Sequence, residues 1–168
     1  MPEPGTWSRR AFIRAKPNGA PPLRPPWAKS EQEFLSLCSR CDACAMVCPT
    51  RLIVRGDGGF PVVDFSRAEC TFCHACVESC GQQAFQGAEQ PPWRLSPLIR
   101  EACLAKSNVV CRSCGDVCEH AAILFRPHMG RAAQPEIRLD MCTGCGACIG
   151  ACPVRALEMT NSIAEGMQ

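Results

Sequence analysis

The sequence predicts an α+β chain, built as two tandem modules of small helices and β-hairpins folded around cysteine-bound metal centres. Three observations predict it. The first is the run Cys142-Thr-Gly-Cys145-Gly-Ala-Cys148-Ile-Gly-Ala-Cys152-Pro153, four cysteines within eleven residues at spacings of two, two and three. The second is recurrence: Cys38, Cys41, Cys44 and Cys48 precede Pro49, Cys70, Cys73, Cys76 and Cys80 precede Gly81, and a looser set, Cys103, Cys111, Cys114 and Cys118, precedes Glu119. The third is the pentapeptide after each last cysteine: Pro49-Thr-Arg-Leu52-Ile53, Gly81-Gln-Gln-Ala84-Phe85, Glu119-His-Ala-Ala122-Ile123 and Pro153-Val-Arg-Ala156-Leu157. The fifth position is always large and apolar, as suits a residue that enters a core where a strand begins. Four units at a period of roughly 30 to 40 residues make two modules of two units each.

The spacing C-x2-C-x2-C-x3-C-P is the one by which bacterial ferredoxins hold cubane iron–sulfur clusters. Three cysteines are expected on a tight loop around one cubane, with the fourth beginning a helix and reaching toward the neighbouring cluster. Gly144 and Gly146 suit such a loop, because a backbone wrapped this closely needs positive φ and no Cβ in the way. The expected architecture is therefore two tandem bacterial-ferredoxin-like modules, residues 30–86 and 98–168, joined by a Pro-containing linker at 87–97. If the fourth cysteines cross as in two-cluster ferredoxins, Cys38, Cys41, Cys44 and Cys80 hold one 4Fe-4S cluster and Cys70, Cys73, Cys76 and Cys48 its partner. In the second module Cys103, Cys111, Cys114 and Cys152 would face Cys142, Cys145, Cys148 and Cys118. Seven residues separate Cys103 from Cys111, which leaves open whether Cys103 is a ligand and whether there are four clusters or fewer.

Two other uses of 16 cysteines in 168 residues fit less well. Disulfide scaffolds pair cysteines from distant segments in oxidising compartments, whereas these cysteines converge in quartets. Structural zinc draws its ligands from two separated pairs. Large apolar residues are scarce, with no tyrosine, three tryptophans and seven phenylalanines, so the clusters must supply much of the core and the metal-free chain is expected to be largely unfolded.

Residues 1–29 form a basic, Pro-rich stretch. Arg9, Arg10, Arg14, Lys16, Arg24 and Lys29 stand against Glu3 alone, among seven prolines, a composition that predicts an extended arm without a packed element. Ser8-Arg9-Arg10-Ala11-Phe12-Ile13-Arg14 looks like a twin-arginine signal, but Ala15-Lys-Pro-Asn-Gly-Ala-Pro-Pro22 is no apolar h-region, so cytoplasmic retention is expected. Ser30-Glu31-Gln32-Glu33 has the form of a capping box opening a short helix. Leu52–Val54 and Phe60–Asp64 around Gly56-Asp-Gly-Gly59 predict a hairpin, and 122–125 with 136–139 predict a second one around a loop containing Pro127 and Gly130.

Net charge is +2, which suggests no nucleic-acid partner, and no stretch is long and apolar enough for membrane insertion. Each oxidised cubane with four thiolates adds about minus two, so the loaded body is acidic and the arm basic. That polarity favours an arm that contacts an acidic partner or the protein's own body. His74, His120 and His128 are scattered, no catalytic constellation is present, and the chain is not expected to act as an enzyme.

Taken together, Ser8-Arg9-Arg10, Pro25-Pro26-Trp27, Cys41-Asp42-Ala43-Cys44, the irregular third motif with Ile123-Leu-Phe-Arg-Pro127, and Cys142-Thr-Gly-Cys145-Gly-Ala-Cys148 resemble the NapF-type ferredoxins of periplasmic nitrate reductase systems. The resemblance implies a cytoplasmic accessory protein that binds the catalytic subunit of that reductase and assists its maturation before export. The alternative is a multi-cluster electron carrier between a redox donor and an oxidoreductase.

Overall fold

The computed structural model describes residues 22–87 and 89–161, and the Ser8-Arg9-Arg10 segment lies outside them. Within them helices are very short. After α1 (Glu31–Leu37), the helices α2 (Ala43–Met46), α3 (Ala75–Glu78), α4 (Ser113–Asp116) and α5 (Ala147–Gly150) have four residues each. Each of these four carries the third cysteine of its motif, and the fourth cysteine comes next in a turn. The expectation that the fourth cysteine begins a helix is therefore corrected. The reason is visible in the hydrogen bonds: after Cys48, Cys118 and Cys152 the chain folds back at once, with Arg51, Ala121 and Arg155 N–H bonded to the carbonyls of those cysteines. Ser30 does precede α1, but its hydroxyl bonds the Glu33 carboxylate rather than a backbone N–H, so the two side chains pair with each other in place of the expected capping box.

The strands form three antiparallel pairs. β1 (Ile53–Arg55) and β2 (Pro61–Val63) make the first predicted hairpin, with Val54 opposite Val62. β4 (Ile123–His128) and β5 (Arg131–Ile137) make the second, and it is longer than predicted, because both prolines of the expected loop lie inside the ladder. Pro127 falls at the irregularity between Arg126 and His128, and in a two-stranded ribbon the missing N–H of Pro135 can face outward at no cost. The third pair was not foreseen. β3 (Leu95–Ile99) runs antiparallel to β6 (Leu157–Asn161), so the end of the expected linker is a strand of the second module. Its counterpart in the first module is the single bridge between Ala28 and Phe85.

That bridge also corrects the reading of residues 1–29. The end of the predicted arm is packed: Pro25, Pro26 and Trp27 are buried, Trp27 with 3% of its surface exposed. Trp27 N–H donates to the Pro92 carbonyl at 2.7 Å, its carbonyl accepts from Gln86 N–H at 2.7 Å, and its indole Nε1–H donates to the Gln90 carbonyl at 2.7 Å. Arg24 grips both Glu31 carboxylate oxygens at 2.7 and 2.8 Å and donates to the Pro61 carbonyl at 3.0 Å, with Phe34 and Phe60 under its guanidinium. Proline count alone could not reveal this, because Trp27 and Arg24 find partners 63 and 37 residues away. Trp27→Ala should lower stability by about 3–5 kcal/mol and hasten bleaching of cluster absorbance in air, since Trp27 also walls one of the cysteine-lined cavities described below.

The buried residues obey the fourfold repeat. The fifth position after each motif, Ile53, Phe85, Ile123 and Leu157, is 4–8% exposed, and the fourth, Leu52, Ala84, Ala122 and Ala156, is 1% exposed. The two modules are not separated by open linker. Leu95 is part of the first module's core, and Ile149 and Met159 of the second module lie against it.

Candidate metal centres

Three of the four motifs share one loop geometry. The residues before the second cysteine and before the short helix take positive φ in each: Arg40 and Asp42, Phe72 and His74, Gly144 and Gly146. Glycine is thus found at these positions in the last loop only. Gly144 has the Leu95 carbonyl and Trp93 Nε1 each 2.8 Å from where a Cβ would sit, and at Gly146 the Phe65 ring occupies that space. His74, one of the scattered histidines, serves packing, its ring 4.3 Å from that of Trp27.

The loops wall cavities. One is lined by Cys38, Cys41, Cys44 and Cys80; a second by Cys48, Cys70, Cys73 and Cys76; a third by Cys118, Cys142, Cys145 and Cys148. In each case the fourth cysteine comes from the other motif of the same module. Cys103 and Cys152 meet in a separate small cluster with Ala105, Ala156 and Phe125, and Cys103 is buried. The seven residues between Cys103 and Cys111, where the other motifs have two, form a compact turn, with Ser107, Asn108 and Val109 N–H bonded to the carbonyls of Cys103, Ala105 and Leu104. The long hairpin anchors this turn, through Ala132 N–H to Asn108 Oδ1 at 2.7 Å and Gln134 Nε2 to the Ala105 carbonyl at 2.6 Å. No signal in the motif spacing could announce that anchoring.

Burial and neighbouring thiolates act together on these thiols. Burial, then the negative charge of Cys38 and Cys80, pushes Cys44 up to about 11. Burial pushes Cys70 to about 11 against a hydrogen bond from Phe72, with Cys48 adding to the rise. For Cys76 burial and Cys70 raise it to about 12, for Cys114 burial and Cys103 to about 11, and for Cys148 burial and Cys145 to about 12. The crossing cysteines are held differently. Burial raises Cys48 too, but N–H groups of Ile53 and Leu52 and the Thr50 hydroxyl outweigh it, and the net shift is downward. Equivalent N–H groups reach Cys118 Sγ from Ala122 at 3.3 Å and Cys152 Sγ from Ala156 at 3.2 Å.

Four thiolates around one cavity, one of them buried in each case, would repel unless a cationic, sulfur-loving centre lay between them, and soft thiolate donors select iron–sulfur clusters, zinc or cuprous copper. Among the described residues no three His, Cys, Asp or Glu side chains gather tightly enough around one point to hold a single metal ion. The cysteines line the three cavities, and an all-thiolate donor set is one that a 4Fe-4S cluster would take.

The loops of the two modules touch. Cys70 N–H donates to the Cys145 carbonyl at 2.8 Å, and an aromatic chain, Trp27–Phe72–Trp93–Phe65, runs edge to face from the first module to the last loop. Trp27 lines the second cavity, and Phe65 at the other end packs against Gly146, which lines the third.

Comparison with known proteins agrees with this geometry. Models described as "4Fe-4S dicluster domain" match residues 37–85 and residues 109–156. The chain is 43% identical over 154 residues to the ferredoxin-type protein NapF of Escherichia coli (strain K12), covering 89% of this chain and 92% of that protein. The chain belongs to the NapF-type ferredoxins. The same relation holds for NapF of Haemophilus influenzae (strain ATCC 51907 / DSM 11121 / KW20 / Rd), 44% identical over 139 residues, covering 83% of this chain and 79% of that one. A methylamine utilization ferredoxin-type protein, MauM of Methylorubrum extorquens (strain ATCC 14718 / DSM 1338 / JCM 2805 / NCIMB 9133 / AM1), is 32% identical over 151 residues, covering 77% of this chain and 67% of its own. As a NapF-type ferredoxin the chain is an iron–sulfur protein of two tandem 4Fe-4S ferredoxin-type domains. Among the described residues no helix is long and apolar enough to cross a membrane.

Proposed function

We propose that this protein is an accessory ferredoxin that works in the cytoplasm, binds the immature catalytic subunit of periplasmic nitrate reductase and assists its maturation before export. The observation that carries this reading is the NapF relationship over nine-tenths of the chain. Four 4Fe-4S clusters are held in crossed sets: Cys38, Cys41, Cys44 with Cys80; Cys70, Cys73, Cys76 with Cys48; Cys103, Cys111, Cys114 with Cys152; and Cys142, Cys145, Cys148 with Cys118. The shared cavities and the mutual influence of Cys44 with Cys80, Cys70 with Cys48 and Cys142 with Cys118 support the crossing. Bound clusters of this kind supply one-electron chemistry; the chain's part is to hold them and present them to the partner.

Iron and sulfide counting on anaerobically prepared protein tests the ligand sets. About sixteen irons per chain are expected, falling to about twelve in Cys103→Ser; an unchanged count would remove Cys103 from the set. Binding to the purified, cofactor-free catalytic subunit tests the role. Deleting residues 1–21, and so sparing the packed Leu23–Lys29, should weaken that binding and leave cluster absorbance intact. Equal affinity for immature and mature subunit would argue against a maturation partner.

The second reading, a plain electron carrier, is favoured by the bond between Cys70 N–H and the Cys145 carbonyl. It sets the second cavity beside the third, so that the cavities of both modules form one series. Steady, reversible reduction by a purified donor with no binding to the unexported subunit would select this reading.

A further inference from the structure

The three regular loops each present the residue after their first cysteine to a cavity: Ser39, Thr71 and Thr143. All three carry a hydroxyl, in different surroundings. Ser39 is exposed, and its hydroxyl bonds the Cys41 sulfur. Thr71 is exposed and has solvent for a partner. Thr143 Oγ1 is shut off from solvent and has no hydrogen-bond partner among the described residues. The tertiary fold creates the difference, because Trp93 and the Leu95 carbonyl close over Gly144 next to it. Trp93 Nε1 is a second buried atom without a partner, but Trp93 does not line the cavity.

Buried hydroxyls are nearly always paired in native proteins, and one left without a partner calls for an explanation such as an unseen acceptor. In a cavity lined by Cys118, Cys142, Cys145 and Cys148, the acceptors to hand are sulfur atoms. We infer that the Thr143 hydroxyl donates a hydrogen bond to a sulfur of the cluster in this cavity and thereby sets its reduction potential above that of the same loop without the hydroxyl. Reduction adds an electron whose charge spreads onto sulfur, so a fixed donor stabilises the reduced cluster more than the oxidised one. Thr143 is a positioning residue in this account, because the cysteines alone bind the iron. Among the three loop hydroxyls, only this one is held away from both solvent and protein acceptors.

The inference rests on the proposed ligand set of Cys118, Cys142, Cys145 and Cys148. Iron counts on the wild-type protein and on Cys142→Ser reveal a failure of that set before any potential is read. The test is an anaerobic redox titration of the full chain monitored by EPR, comparing wild type with Thr143→Val, Thr143→Ser and Thr71→Val. Thr143→Val should move a single titration wave to lower potential, Thr143→Ser should restore it, and Thr71→Val should move none. Where valine costs iron, Thr143→Ala removes the same hydroxyl with less bulk and takes its place. Waves that coincide with wild type after loss of the hydroxyl, or a serine variant that shifts as far as valine, would overturn the inference.

Discussion

Stripping iron anaerobically should abolish the cooperative thermal transition of this protein and most of its ordered circular dichroism, and reconstitution with iron and sulfide should restore both. The helices explain why. Helices of four residues lie far below the length at which a helix persists alone in water, and isolated two-stranded ribbons are marginal at best. The apolar core cannot make up the difference. Phe34 and Leu52 are the largest side chains that are fully buried, and five of the buried residues are cysteines: Cys44, Cys76, Cys103, Cys114 and Cys148. Ordering the backbone costs about 1–2 kcal/mol per residue, and coordination of a structural metal contributes on the order of 10 kcal/mol per site in small domains. Without metal those thiols also face one another in apolar walls, where burial drives Cys76 and Cys148 to about 12. Calorimetry on chelated protein is the measurement. An iron-free chain that melts at the temperature of the loaded one would show that the cysteines are dispensable to the fold.

Gly146→Ala should destabilise the loaded protein by about 2–5 kcal/mol and deplete iron from the last loop before the first module is affected. Two terms add. A side chain at φ +85° costs about 1–2 kcal/mol, and overpacking against the Phe65 ring costs about 1–3 kcal/mol. The second term is the distinctive one, because Asp42 and His74 take the same left-handed conformation in the sister loops. Glycine is needed at 146 because the first module pushes Phe65 into the space a Cβ would fill. Gly81→Ala is the control, since nothing lies within 4 Å of its added Cβ and its φ is not positive; its stability should stay within about 0.5 kcal/mol of wild type. Pairing Gly146→Ala with Phe65→Val should cost less than the sum of the two, since the collision is removed once. Thermal melts and iron counts on the four variants decide the matter; strict additivity would place the strain in the torsion alone.

The cysteine quartets, the two hairpins and the buried fifth positions were legible because each is a local pattern with a fixed period. The direction of the fourth cysteine's turn was not. The residues that take positive φ after it, Arg51, Gln83, Ala121 and Arg155, carry no common side chain, so the turn leaves no trace in composition. The third motif was legible only in part. Its spacing raised the question of Cys103, but it carried no sign of the bonds through Asn108 and Gln134 that join the inserted turn to a distant hairpin.

The soft thiol donor set, the three-cysteine loops and the recurrence of the motif are read from short stretches of the chain, since three thiols at x2 spacing on one tight loop wall the same cavity; the fourth thiol of each cavity comes from another motif. The docking of Trp27, the pairing of β3 with β6, the contact of Cys70 with Cys145 and the sealing of Thr143 all join residues that are distant in sequence. Such contacts depend on which faces meet after folding. Shape and burial settle that, and neither is written in the spacing of one motif.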